Sequence, residues 1–312
     1  MKRLLAPLLA VSILMNVALL LFLFTSSPLS PTSQHKVYQF LSKRIFAENQ
    51  NDMLINFGQL RAQLRAYVSS LHEPTGVYFE YLPSGISIGV NEKQEFIPAS
   101  LIKVPIVMAV YKKIEMGKLH KNDFIPLEDR FKDKTSGSMW KMPAGSQIAV
   151  KDAIDKTLDE SDNTAKNVLL SLLTRKELTF VFDSLDLGIN VQDDASSMVT
   201  PKNYSSIFRS LYLSSYLTQE HSNEVLELLS QATDDMRIRS GVPDEVTVSS
   251  KYGVSYGPVP DASVYSDCGI VYIPQRPFLL CIMTQTNEQE AYKIMKQLAE
   301  MTYRYVANTK NE

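Results

Sequence analysis

"IPASLIKVPIVMAVY", Ile97–Tyr111, sets one lysine into a run that is otherwise almost wholly apolar. Read as a helix from about Ala99, the run is apolar on every side, and such a helix belongs in a core. A charged amine in a core is costly unless it is paired or neutralised. Lys103 is therefore either a surface residue that snorkels outward or a buried amine kept for its chemistry. Ser100 stands three residues earlier, so on a helix the two side chains share a face. The free N–H groups and the macrodipole at a helix start favour negative charge at such a serine. A buried amine of depressed pKa can then take the serine's proton. The competing reading is a capping serine followed by a snorkelling lysine. Ser-x-x-Lys also occurs at Ser33–Lys36, in a linker, and at Ser138–Lys141, in the loop "SGSMWKMPAGS"; only Ser100–Lys103 opens a helix.

Two further stretches offer polar groups at defined spacing. "ESDNTAKNVLLSLL" (160–173) presents Ser161 and Asn163 at i and i+2. Those positions do not share a helix face, so pointing both into one site requires extended or loop backbone. Asp162 would then hold the loop or cap the following helix. Ser-Asp-Asn is also ordinary N-cap material ahead of an apolar helix. "EVTVSSKYGVS" (245–255) reads as a strand. Val246, Val248, Tyr252 and Val254 share one face; Thr247, Ser249, Lys251 and Gly253 share the other. Gly253 would let a ligand backbone approach closely; an edge strand with a protective lysine is the plain alternative.

The chain has 312 residues, 45% of them hydrophobic, and a net charge of −2. That is enough for a substantial core and gives no electrostatic case for nucleic acid. The four histidines are scattered and form no HExxH, so no metal site is expected. Lys2 and Arg3 precede Leu4–Phe24, a run without charge that would span roughly 30 Å as a helix. With no clear small-x-small cleavage site, residues 1–25 read as an uncleaved membrane anchor, the remainder lying on the extracytoplasmic side. A cleaved signal, and hence secretion, is the alternative. Residues 26–51 read as a linker and juxtamembrane segment, and 52–312 as the folded domain.

Helical periodicity runs from about Val37 to Leu71, broken near Asn49–Asp52. "GVYFEYL" and "ISIGV" are strands joined by a turn at Pro83–Gly85. The signals from Pro98 to about Asp235 are mostly helical. Strands return in "EVTVSSKYGVS", "SDCGIVYIP" and "FLLCIMTQT", and a helix from about Asn287 to Val306 follows. Short connections make the strands antiparallel. The expected fold is α+β: an antiparallel sheet flanked by terminal helices, with an inserted all-helical lobe and a cleft between them. Placing the last hairpin turn near Pro274–Pro277 makes Cys268 and Cys281 diagonal neighbours, about 7–8 Å apart. That distance favours two buried free thiols.

The order S-x-x-K, S-D-N, K-x-G matches the serine penicillin-recognising enzymes, and the sequence resembles class A β-lactamases most closely, over about residues 52–308. "SGSMWKMPAGSQIAVKDAIDKTLDESDNTAKNVLLSLL", "VTPKNYSSIFRSL" and "SDCGIVYIPQRPFLLCIMT" look like further segments of that family. The resemblance implies a β-lactamase/transpeptidase-like fold and a serine hydrolase or acyltransferase without cofactor. Its substrate would be a small-molecule β-lactam or a peptidoglycan peptide of the D-Ala-D-Ala type. Ser100 would be the nucleophile, Lys103 its base, and Ser161 the relay to the leaving nitrogen. Asn163 would bond the substrate amide and Lys103. Lys251 would favour the substrate carboxylate and tune Ser161. The N–H groups of Ser100 and Val254 would form the oxyanion hole, and Arg239 would brace the Lys251 strand. Two features depart from the pattern. Tyr252 stands in Lys251-Tyr252-Gly253 where the family has a small hydroxyl residue. "LGINVQDDASSMVTP" (187–201) contains no E-x-x-L-N, leaving Asp193 and Asp194 as the only carboxylates in the connection. A non-catalytic or single-turnover binding module is the second functional reading, and the residues do not fix an oligomeric state.

Overall fold

A computed structural model describes residues 57–189, 197–232 and 236–308. The expected anchor and linker, and the Asp193–Asp194 pair, lie outside the described residues. No helix among the described residues is long and apolar enough to cross a membrane.

The chain enters through α1 (Gly58–Ser70), which buries Leu60, Leu64 and Val68, one face at i, i+4 and i+8. β1 (Thr75–Tyr81) and β2 (Ile86–Val90) form the expected hairpin, with Gly85 at φ 72° in its turn. A 3₁₀ turn (Ala99–Ile102) leads directly into α2 (Lys103–Glu115), whose first nine residues are all buried. The inserted lobe continues with α3 (Val150–Leu158), α4 (Asn163–Ser171), α5 (Arg175–Ser184), α6 (Pro201–Tyr212) and α7 (Gln219–Gln231). It also holds a small antiparallel pair not expected from the sequence, β3 (Phe124–Pro126) with β4 (Gln147–Ala149); at three residues each, these strands are too short to show a period of two. β5 (Val248–Ser255), β6 (Val264–Val271) and β7 (Phe278–Gln285) follow, then α8 (Glu288–Asn308).

The five long strands make one antiparallel sheet in the order β2-β1-β7-β6-β5, so strands from both ends of the domain pair and the helical lobe is inserted between them. The fold is α+β, as expected. Alternate residues of β1 divide between the faces. Val77, Phe79 and Tyr81 pack with Leu60 and Leu64 of α1 and Ile294 and Leu298 of α8. Tyr78 and Glu80 turn to α6, where Arg209 Nε donates to both Glu80 oxygens at 2.9 Å and Nη2 donates to Tyr78 Oη at 2.9 Å. Glu80 is buried, so this bidentate pair supplies the hydrogen bonds its carboxylate needs and fastens the lobe to the sheet.

The cysteines correct the expectation. Val271 pairs with Phe278, so the hairpin register sets Cys268 directly opposite Cys281, with Cα atoms 4.0 Å apart and the sulfurs joined in a disulfide. The turn is centred on Pro274–Gln275, with the Arg276 N–H bonding the Ile273 carbonyl, rather than in the middle of Pro274–Pro277, and that one-residue shift moves the pairing from diagonal to opposed. The register continues across the sheet, since Tyr78 pairs with Cys281 and Cys268 with Lys251. The disulfide thus lies on the face turned to the helical lobe, in one row with Lys251. Joining residues 13 apart removes loop freedom from the unfolded chain. Replacing both with alanine (Cys268→Ala, Cys281→Ala) is expected to lower stability by about 2–4 kcal/mol, read as a lower urea midpoint. An unchanged midpoint in oxidising buffer would show that the crosslink contributes nothing.

Candidate active site

Three elements converge on the amine of Lys103. Ser100 lies in the 3₁₀ turn, one residue after Ala99, which holds φ at 47°. Ser161 precedes α4 with φ at 52°. Non-glycine residues in this region are strained by about 1–3 kcal/mol each, and here each is held by its surroundings. Lys103 Nζ donates to Ser100 Oγ at 3.1 Å, to Ser161 Oγ at 3.0 Å and to the Ser161 carbonyl oxygen. Lys103 and Ser161 are buried, while Ser100 is half-buried at the lip of the site. The snorkelling alternative is excluded: the lysine points inward.

Burial lowers the Lys103 pKa to about 7; the nearby Lys251 and Lys166 cations lower it further, while Asp162 and Asp133 oppose the shift. At neutral pH a large fraction of the amine is therefore unprotonated. In that form its lone pair can receive a proton from Ser100, 3.1 Å away.

Asp162 is the N-cap of α4 and accepts the Ala165 N–H at 2.9 Å. It also accepts the N–H groups of Ser138 (2.6 Å) and Met139 (2.7 Å). A carboxylate with three backbone donors is a clamp, here locking the 136–141 loop to the start of α4. Gly137, at φ 85°, leaves the space: a Cβ there would stand 2.2 Å from the Asp162 carboxyl carbon. Asn163 is the first residue of α4 rather than extended chain. Of Ser161 and Asn163, only Ser161 lies on non-helical backbone before α4, while the reading of this stretch as a helix N-cap holds through Asp162. Asn163 Nδ2 donates to Thr135 Oγ1 at 2.7 Å, and the expected bond from Lys103 to Asn163 is not among the Lys103 bonds described above. Thr135 thus joins the site's edge; nothing in its local sequence distinguished it.

β5 forms the opposite wall. The predicted alternation holds: Val248 faces the terminal-helix core, whereas Ser249 Oγ donates to the Leu226 carbonyl of α7 at 2.7 Å. Lys251 is buried on that second face, and burial brings its pKa down to about 7. Gly253 lies against the nucleophile turn: a Cβ would fall 2.8 Å from the Pro98 carbonyl oxygen and 3.2 Å from the Ser100 nitrogen. Only glycine permits this approach, which brings the Gly253 backbone alongside the Ser100 N–H. Arg239 Nη1 donates to the Val246 carbonyl at 2.7 Å, bracing the approach to β5 as expected. Arg237, not singled out by sequence, stacks 4.1 Å from the Tyr252 ring centre. The residues expected to form one site (Ser100, Lys103, Ser161, Asn163, Lys251, Tyr252, Gly253, Val254) do lie on three neighbouring elements. Among the described residues no cluster of His, Cys, Asp or Glu could hold a metal ion. A separate cavity of about 680 Å³ between β1, β2 and α6, lined by Glu80, Arg209, Lys93 and Lys202 among others, includes none of these eight residues.

A family model described as "Beta-lactamase enzyme family" matches residues 59–306. Beta-lactamase VEB-1 of Pseudomonas aeruginosa is 22% identical over 245 residues, covering 71% of this chain and 82% of that protein. The solved structure of PBP-A superposes with a TM-score of 0.72 at 22% identity, covering 81% of this chain and 97% of that one. A PBP-A variant solved as its acyl-enzyme complex with penicillin-G superposes with a TM-score of 0.72 at 21% identity, covering 80% and 97%.

The depressed Lys103 pKa is also a stability statement. Between pH 7 and 10.5 the unfolded chain holds a proton on this lysine that the folded chain has released, so stability rises with pH across that window. Relative to Lys103→Met, the native protein should gain up to about 1.4 kcal/mol per pH unit there. Below pH 7 the difference should be constant and favour the variant. Urea melts of both at pH 6, 8 and 10 measure this, and parallel pH dependences would contradict it.

Proposed function

The chain belongs to the Beta-lactamase enzyme family and is a serine hydrolase of that class, and from this premise we propose that it forms an acyl-enzyme at Ser100 on a β-lactam or a D-Ala-D-Ala-type peptide. The observation that carries the reading is the Lys103 amine shared between Ser100 Oγ and Ser161 Oγ. Ser100 Oγ attacks the carbonyl carbon and its proton passes to the neutral Lys103 amine. The oxyanion that develops is met by the N–H groups of Ser100 and Val254; losing one such donor typically costs about 10²–10³ in rate. The C–N bond then breaks, and the nitrogen takes its proton through Ser161 from Lys103. Asn163 binds the substrate amide, and Lys251 offers its cation to the substrate carboxylate. The penicillin-G acyl-enzyme of the PBP-A variant supports β-lactams as the substrate class. The D,D-peptidase-like alternative rests on the same residues.

Deacylation is slow in this reading. The Lys103 bonds above run to two serines, and the 187–201 connection offers no E-x-x-L-N to activate a water. General-base help is typically worth about 10²–10⁴-fold, so the acyl form accumulates after a burst. The same missing group favours a second reading, a single-turnover penicillin sensor or wall-binding module. Tyr252, where a small hydroxyl is usual, weakens carboxylate binding in either case. The uncharged Leu4–Phe24 run and the disulfide support placement on the extracytoplasmic face, held by the N-terminal anchor.

Following intact mass after mixing the full chain with a penicillin tests the reading. A stable adduct lost in Ser100→Ala, and formed orders of magnitude more slowly in Lys103→Ala, is the expected result. Rapid return to the free mass would show an efficient deacylating base. If Asp193→Asn or Asp194→Asn abolished that return, the base would be that aspartate.

A further inference from the structure

Tyr252 and Asp267 are paired across β5 and β6, in one row with Ile282 and Val77. Ile282 and Val77 belong to the apolar core beneath the terminal helices. A carboxylate at this row position is therefore buried at the edge of a hydrocarbon core. Asp267 is 2% exposed. Its Oδ2 accepts the Ile238 N–H at 3.1 Å, while its Oδ1 has no hydrogen-bond partner among the described residues. A buried carboxylate so incompletely bonded is retained against a substantial desolvation cost, and the nearby cations identify what it serves.

Two cations attend the Tyr252 ring. Arg237, which immediately precedes Ile238, places its guanidinium carbon 4.1 Å from the ring centre and 5.0 Å from that of Tyr292 on α8. Lys251 Nζ lies 4.5 Å from the same Tyr252 ring. Both residues are buried, so each cation sits within reach of one ring without bulk water to screen the other. Such a pair repels, and the guanidinium does not give up its proton, so lysine is the member that neutralises. We propose that Asp267 is a positioning residue for acylation: its carboxylate is the counter-charge that holds the cations of Lys251 and Arg237 together around Tyr252.

The charges around Lys251 set the sign of its effect. Burial and Arg237 push the amine toward its neutral form; Asp267 on β6 and Asp159 at the end of α3 pull it toward the ammonium. Lys103 of α2 also couples to Lys251. Burial pushes the Asp267 carboxyl up toward its neutral form; the Arg237 guanidinium, the Ile238 N–H, the Ser250 hydroxyl and Lys251 oppose that shift and favour the carboxylate, and the phenol of Tyr204 on α6 also faces it. The proposal rests on the acyl-enzyme reading, in which Lys251 acts charged and Lys103 acts neutral. The acid limb of an acylation profile then belongs to Lys103 and the alkaline limb to Lys251.

The test is the rate of penicillin labelling of the full chain between pH 5.5 and 9.5. Asp267→Asn keeps the shape and removes the charge. Its alkaline limb should move at least one pH unit toward acid, a loss of about tenfold at pH 8, while the acid limb moves less. Arg237→Gln should move the alkaline limb the other way, and reads the same electrostatics if Asp267→Asn does not fold. Adding Lys251→Arg, which keeps its charge, should abolish either movement. A uniform fall across all pH values, or limbs that coincide with the native protein, would overturn Asp267 as the counter-charge. No labelling of the native chain at any pH would overturn the acyl-enzyme reading and this proposal with it.

Discussion

A lysine amine at 1% exposure needs partners on every side, and the architecture around Lys103 follows from supplying them. One partner comes from its own helix start, in Ser100. The other two come from a single residue of a different element, the hydroxyl and carbonyl oxygens of Ser161. For both Ser161 oxygens to reach one nitrogen, the residue takes φ 52°, and α4 starts two residues later at Asn163, after its Asp162 cap. Asp162 makes that start rigid by capping α4 and gathering two N–H groups from the 136–141 loop. The amine thus specifies the strained backbone, the strained backbone specifies the cap, and the cap fixes the loop that carries Thr135 to Asn163.

The sheet enters this arrangement through one edge strand. β5 presents Lys251 toward the lobe and Tyr252 toward the terminal helices, so one strand contributes to two differently solvated faces. Its closeness to the nucleophile depends on Gly253, since any side chain would meet the Pro98–Leu101 turn. The position of the strand is tied inward by the register that sets Lys251, Cys268, Cys281 and Tyr78 in one row. Tyr78 in turn bonds Arg209 of α6, which also holds Glu80. A rigid cross-sheet row from the lobe to the edge strand gives the site walls that do not depend on the loops. Sites supported in this way hold geometry better than sites built on loops alone.

The site also concentrates charges that burial opposes. Lys103 and Lys251 both have their pKa brought down to about 7, each chiefly by burial, with Lys251 also lowering Lys103 and Arg237 also lowering Lys251. Two amines that would titrate together near neutrality are useful to a reaction needing one neutral and one charged. Their separation depends on which anions lie nearest: Asp162 and Asp133 for Lys103, Asp267 and Asp159 for Lys251. Of these carboxylates, Asp162 also caps α4.

The sequence alone determined the α+β architecture, because periods of two and of 3.6 alternate in blocks that only one sheet can reconcile. It drew attention to Ser100, Lys103 and Lys251, because an amine in an apolar helix and a polar strip on one strand face are anomalies visible locally; Ser161 joined them only through the resemblance carried by the order S-x-x-K, S-D-N, K-x-G. It also showed that Asp162 could cap a helix, since cap chemistry is a matter of adjacent residues. The tertiary structure decided what depended on residues distant in sequence. The cysteines became a disulfide because one hairpin register, set by where a turn begins, opposes them. Asn163 turned to Thr135, 28 residues away, because the loop between them folds back onto α4. Arg237 and Asp267 became part of the Lys251 environment because two elements meet beside Tyr252. Local pattern records which groups a helix or strand can offer; only packing brings offers from separate elements within hydrogen-bond and Coulomb range of one another.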